Sequence, residues 1–151
     1  MMESTISQLE QILEKYSPGL SRIKEHEFTA KPLPHKWSKK EILGHLIDSA
    51  QTNIRRFIVA QYEEGPFIKY AQDHWVDAVN YQNYNSKDLI ALWVLLNKHI
   101  GIVLKNMSPE IAARLCNTGE LHTLEWLAAD YNKHLLHHLH QVLDREPVAY
   151  P

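Results

Sequence analysis

Apolar residues recur at intervals of three and four along four separated stretches of the chain, the spacing that places a hydrophobic stripe on one face of an α-helix. In the first stretch Ile6, Leu9, Ile12 and Leu13 share a face between about Ser4 and Tyr16, and Ser17-Pro18-Gly19 supplies the stop. In the second, Leu43, Leu46, Ala50, Ile54 and Phe57 form the stripe of a helix running from Ser38 to about Tyr62. Pro32 and Pro34 bar helix before it, and Gly65-Pro66 ends it. Ser38 and Glu41 have the spacing of a capping box, in which the serine oxygen and the glutamate carboxylate each satisfy a free backbone N–H.

The third stretch carries Leu89, Leu92, Trp93, Leu96, Ile100 and Val103 to about Met107, with Ser86 as predicted N-cap and Asp88 in the first turn. Its dense apolar positions predict burial on more than one side, with His99 a core histidine. Between the second and third helices, Trp75, Val76 and Val79 allow a short helix within an aromatic and polar segment that reads either as a pocket wall or as cover for a core edge. Ser108-Pro109 opens a short helical segment to about Leu115, and the final helix starts near Thr123. Arg145 to Pro151 reads as a tail. No stretch shows a strand's alternation, and internal repeats, glycine-rich phosphate loops and nucleophile elbows are lacking. Four long amphipathic segments predict an all-α four-helix bundle, one domain over residues 1–151, and the long connections before Trp37 and after Gly65 argue against simple up-down hairpins there.

The last helix is the chemically unusual one. Leu124, Leu127, Ala128, Tyr131, Leu135, Leu139 and Val142 form its apolar stripe, and the run from His134 to His140 holds four of the chain's 10 histidines. At about 100 degrees per residue His138 lies inside that stripe and His134 at its edge, whereas His137 and His140 point away as a solvated face. Residues four apart stack about 6 Å along the axis, close enough for two imidazoles to converge on one ion. Two unpaired polar rings buried side by side would cost about 1 to 3 kcal/mol each, a penalty that a shared metal ion would remove. One further ligand would complete a site. On the second helix His45, Ser49, Thr52 and Arg56 form a polar strip, which periodicity alone makes solvent-facing but which could equally line a water-filled cleft.

Composition narrows the chemistry. The 151 residues carry a formal charge of −2, which offers no broad attraction to nucleic acid. The longest apolar run, Leu89 to Leu96, is too short to span a bilayer, and no basic-then-apolar leader opens the chain, so a cytoplasmic location without membrane contact is expected. Cys116 is the only cysteine and reads as a packing thiol; any metal must be held by histidine or carboxylate.

Three segments together resemble the DinB/YfiT-like family: Trp37-Ser38-Lys39-Lys40-Glu41-Ile42-Leu43-Gly44-His45-Leu46-Ile47-Asp48-Ser49, then Asp73-His74-Trp75-Val76 with Tyr81-Gln82, and finally His134-Leu135-Leu136-His137-His138-Leu139-His140-Gln141-Val142. The resemblance implies a four-helix bundle with a divalent metal held by one histidine of the second helix and two, four apart, of the last. By position these are His45, His134 and His138. Three imidazoles with a vacant position describe a catalytic site, since structural zinc is usually closed by four protein ligands. Zinc is the default ion, while nickel, iron and copper also suit imidazole.

Two enzymatic readings follow for a small-molecule substrate: activation of a low-molecular-weight thiol for S-transfer to an electrophile, as the resemblance implies, or hydrolysis by metal-bound water. Hydrolysis usually needs a carboxylate base, and neither Asp48 nor Asp73 is placed by spacing, so S-transfer is preferred. A third reading is a non-catalytic metal-binding bundle. Arg56 could pair with a carboxylate of the thiol or substrate, Asp73 is a further candidate for substrate contact, and Trp75 and Tyr131 could wall the pocket. A homodimer is expected by analogy with the family.

Overall fold

The computed structural model describes residues 2–151. Four long helices form the bundle: α1 (Met2–Ser21), α3 (Lys39–Val59), α5 (Ser86–Lys105) and α7 (Leu124–Val142). Between them lie α2 (Glu25–Thr29), α4 (Gln72–Val79), a 3-10 turn (Tyr81–Asn83), α6 (Pro109–Ala112), and the strands β1 (Leu115–Asn117) and β2 (Leu121–Thr123). Helix α3 packs on α5 and α7, and α1 packs on the same two, so the order around the bundle is α1, α5, α3, α7. The connections from α1 to α3 and from α5 to α7 therefore cross the bundle's diagonals, and only α3 and α5 are neighbours both in sequence and in space. A diagonal crossing cannot be made by a tight turn, which accounts for the long connection before Trp37; the long connection after Gly65 joins the neighbours α3 and α5 and carries α4 and the 3-10 turn.

The predicted stripes build the core. Leu9, Ile12, Leu43, Leu46, Phe57, Leu89, Trp93, Ile100, Leu135 and Leu139 are all buried in one cluster. Helix α3 begins as the capping box requires: Ser38 Oγ accepts from the Glu41 N–H at 3.1 Å, and Glu41 Oε1 accepts from the Ser38 N–H at 3.0 Å. Ser38 Oγ also donates to Gln82 Oε1 at 2.6 Å, tying this start to the 3-10 turn. Gly44 on α3 is where that turn packs closest. A Cβ there would lie 2.1 Å from Cδ2 of the buried Tyr81, so only glycine lets the ring settle against the helix. Docked in this way, Tyr81 donates to Asp48 Oδ1 at 2.5 Å.

Several expectations are corrected. Helix α1 does not stop at Ser17 but passes through Pro18 to Ser21, and the burial of Leu20 in the core accounts for the extension. The N-cap of α5 is Asn85, whose side chain accepts from the Asp88 N–H, so Ser86 is already helical. On α5 His99 is exposed, and Leu95 and Ile102 are 62% and 58% exposed, so that helix is buried on one side only. A two-stranded antiparallel hairpin pairs Leu115 with Thr123 and Asn117 with Leu121. Gly119, at φ 114°, makes its turn, with its N–H donated to Asn117 Oδ1 at 2.9 Å. Strands of three residues are too short for alternation to declare itself. Cys116 is buried in that hairpin, its thiol donating to the Pro66 carbonyl at 3.4 Å, as a packing residue should. No helix among the described residues is long and apolar enough to cross a membrane.

Candidate metal centre

Because α3 and α7 are neighbours, the polar strip of one meets the histidine edge of the other. The strip is not solvent-facing: His45 is 2% exposed, and Ser49 and Thr52 are buried with it. Periodicity misjudges it because α3 packs against two helices, so a face that is polar still lies inside the bundle.

Nitrogens of His45, His134 and His138, one from each ring, all lie within 4.8 Å of one another. The Nε2 atoms of His45 and His134 are 3.1 Å apart, and the ring centroids of His45 lie 5.0 Å from those of both His134 and His138. Two nitrogens bound to one zinc ion at about 2.1 Å sit roughly 3 to 3.4 Å apart, so small rotations of these rings satisfy an ion's geometry. His138 donates its Nδ1–H to Gln141 Oε1 at 2.8 Å, which fixes the tautomer and leaves its Nε2 lone pair free. His45 Nδ1, unlike that of His138, is buried without a hydrogen-bond partner. Trp37 packs on His45 with its ring centroid 5.0 Å away.

Electrostatics suit a cation held by neutral imidazoles. Burial, and the neighbouring His138, push His45 down to about 4. Burial, and then the other histidines, push His134 down to about 2. Burial also lowers His138, against the raising effect of its bond to Gln141. All three are therefore uncharged near neutral pH and offer lone pairs without first losing a proton.

Beside the triad lies a cleft of about 300 Å³, into which His45 and His134 open together with Arg56, Tyr70, Asp130, Tyr131 and Tyr150. Arg56 donates from Nε and Nη2 to the Ile68 carbonyl at 3.0 and 2.9 Å, and from Nη1 to Asn53 Oδ1 at 3.4 Å, so its acceptors are all uncharged. Tyr131 presents its ring to the cleft, but its hydroxyl is turned into the core and donates to Asn97 Oδ1 at 2.7 Å. Trp75 stands behind the wall, its ring edge-on to Tyr70 at 5.5 Å. Asp73 is exposed in a second cleft, of about 430 Å³, that it lines with Trp37, His138 and Gln141. Sequence reasoning missed Tyr70, Asp130 and Tyr150. It also missed the stacked pair His122 and Trp126, 3.5 Å apart and lining the cleft, because His122 lies in a hairpin too short to show periodicity and Trp126 lies on α7 outside its apolar stripe. A larger groove of about 600 Å³ lies between α1 and α5, but among the described residues no cluster of metal-ligating groups converges there.

The fold is shared with solved structures. YfiT from Bacillus subtilis, described as a probable metal-dependent hydrolase with an unusual four-helix bundle topology, superimposes with a TM-score of 0.85 at 20% identity over 95% of this chain and 84% of that one. Mycothiol-dependent maleylpyruvate isomerase superimposes with a TM-score of 0.73 at 15% identity over 99% of this chain. A mutant of that isomerase gives 0.79 at 14% identity over 97%. This chain spans 62% of the length of either isomerase structure, and at these identities the likeness is one of fold. No curated protein sequence matches the chain. The family model described as the DinB superfamily matches residues 8–142, and the chain belongs to that superfamily.

Proposed function

We propose that the protein is a metalloenzyme in which His45, His134 and His138 hold one divalent cation, zinc by default, and which transfers a low-molecular-weight thiol to a small electrophile. The single observation that carries the reading is the convergence of three neutral imidazoles from two helices at the inner end of a polar cleft. A cation held by these three imidazoles would supply Lewis acidity, lowering the pKa of a thiol or water beside it.

The chain's own residues supply the rest. Arg56, half-buried and bonded only to neutral acceptors, is positioned to receive a carboxylate of thiol or substrate. The rings of Tyr70, Tyr131 and Tyr150 form part of the cleft walls. In the reaction proposed, the thiol releases its proton to solvent and its sulfur forms the new bond to carbon with a lone pair. The displaced group then leaves with the electrons of the broken bond.

Hydrolysis is the second reading, in keeping with the description of YfiT as a probable metal-dependent hydrolase. It needs a free base beside the triad; Asp48 accepts from Tyr81 and Asp130 accepts from Tyr150 at 2.5 Å, which leaves Asp73, exposed in the cleft it shares with His138, as the candidate. Thiol transfer makes no such demand, which is why it is preferred. The test loads metal-free protein with zinc and follows loss of thiol with a panel of reactive electrophiles, beside cleavage of activated esters and amides. Zinc-dependent thiol consumption that disappears in His134→Ala supports transfer. Zinc-dependent ester or amide cleavage without thiol loss assigns hydrolysis, and protein that retains no metal leaves a non-catalytic bundle.

A further inference from the structure

The segment after α7 is not a loose tail. Asp144, at φ 52°, adopts a left-handed conformation that reverses the chain, and residues 145–151 run back along α7. The Arg145 N–H donates to the His140 carbonyl at 2.9 Å. His140 Nδ1 then donates to the Glu146 carbonyl at 2.6 Å, and His137 Nδ1 donates to the Val148 carbonyl, also at 2.6 Å. His140 is itself held from α1, its Nε2 accepting from the Tyr16 hydroxyl at 2.7 Å. The alternation of an extended chain thus brings every second strap residue to every third residue of the helix, and the next step sets Tyr150 against His134, ring centroids 5.2 Å apart. The Tyr150 hydroxyl donates to Asp130 Oδ2 at 2.5 Å, and its ring lines the cleft that holds His45, His134 and Arg56.

The four histidines of α7 therefore divide their work. His134 and His138 face the triad, while His137 and His140, expected as a solvated face, anchor the strap. Two short side-chain bonds to otherwise free carbonyls, followed by a third at the phenol, give a seven-residue segment one docked position.

We infer that the C-terminal strap is a wall of the binding cleft and that Tyr150 is a specificity-determining residue, admitting slim anionic ligands to the triad and excluding those with a ring close to the binding atom. The anionic class rests on the reading of Arg56 given above. The exclusion rests on the place of the ring, edge-on to His134 on the wall of the cleft into which His134 opens.

The test uses the full chain as wild type, Tyr150→Ala and Tyr150→Phe. In metal-free protein, modification by diethyl pyrocarbonate is read at each histidine by mass spectrometry. His134 is expected to react about tenfold faster in Tyr150→Ala than in wild type, with Tyr150→Phe close to wild type because the ring stays. In cobalt-loaded protein, mercaptoacetate and 4-(mercaptomethyl)benzoate are titrated through the sulfur-to-cobalt absorption. Wild type is expected to favour the smaller thiol about tenfold, and Tyr150→Ala to close most of that gap. Unchanged His134 modification in Tyr150→Ala overturns the inference whatever the cobalt titration shows. Absence of any sulfur-to-cobalt absorption in wild type sinks the thiol reading instead, and leaves the modification rates to decide the strap.

Discussion

Acidifying the metal-free protein from pH 7 to pH 5 should destabilise it in a way that reports directly on the triad. Unfolded, His45 and His134 titrate at the ordinary 6.5; folded, burial holds them near 4 and near 2. A histidine depressed on folding contributes stability that is complete above its unfolded value and is lost as the pH falls toward its folded value, because only the unfolded chain takes up the proton. At pH 5 each ring has lost about 1.5 pH units of that difference, or about 2 kcal/mol, so the pair loses about 4 kcal/mol. Asp48 works in the opposite sense. Burial raises it to about 6 against the lowering effect of Tyr81, from an ordinary 3.8, so protonation in the folded state returns about 1 kcal/mol over the same interval. The net expectation is a loss of about 3 kcal/mol, with the depressed His138 adding to it. Urea unfolding followed by far-ultraviolet circular dichroism at the two pH values, in the presence of a chelator, measures it. His134→Gln should remove about 2 kcal/mol of the pH dependence. A stability that stays level or rises on acidification, or a pH dependence untouched by His134→Gln, refutes the burial of neutral imidazoles.

Three substitutions test how the site is held. Gly44→Ala drives a methyl group into the Tyr81 ring and should cost about 3 kcal/mol in chemical denaturation, through overpacking and loss of the bond to Asp48; a cost below about 1 kcal/mol would mean the turn is free to move. Tyr81→Phe leaves both oxygens of the buried Asp48 without a partner, since Oδ2 already has none, and should cost about 2 kcal/mol at pH 7 but less at pH 5, where the carboxyl is more often protonated. An equal cost at both values would show that Asp48 does not titrate in that window. Ser38→Ala removes the cap of α3 and the partner of Gln82 and should lower stability by about 1 to 2 kcal/mol, read as a fall in thermal midpoint; an unchanged midpoint would show that the cap is dispensable.

The bundle was legible because its four stripes obey one period, and the pair His134 and His138 was legible because four residues is one helical turn. His45 was not legible in that way. Its strip is polar, and a rule that sends polar faces to water cannot see that α3 is flanked by α5 and α7; only the family resemblance pointed to it. Tyr150 lay further out of reach, since its position depends on a reversal at Asp144 and on two imidazoles meeting carbonyls of an irregular segment. Helix periodicity describes the faces that elements turn toward one another. It says nothing of where a chain without a repeating pattern will lie.

X-ray absorption at the metal edge of zinc-loaded protein, prepared without a histidine tag, addresses the central claim most directly. The account predicts one equivalent of zinc with three imidazole nitrogens at about 2.0 to 2.1 Å and one lighter exchangeable ligand. It also predicts that His45→Ala or His134→Ala abolishes stoichiometric loading while the helical circular dichroism persists. A coordination shell with fewer than three imidazoles, or loading that survives both substitutions, would contradict it.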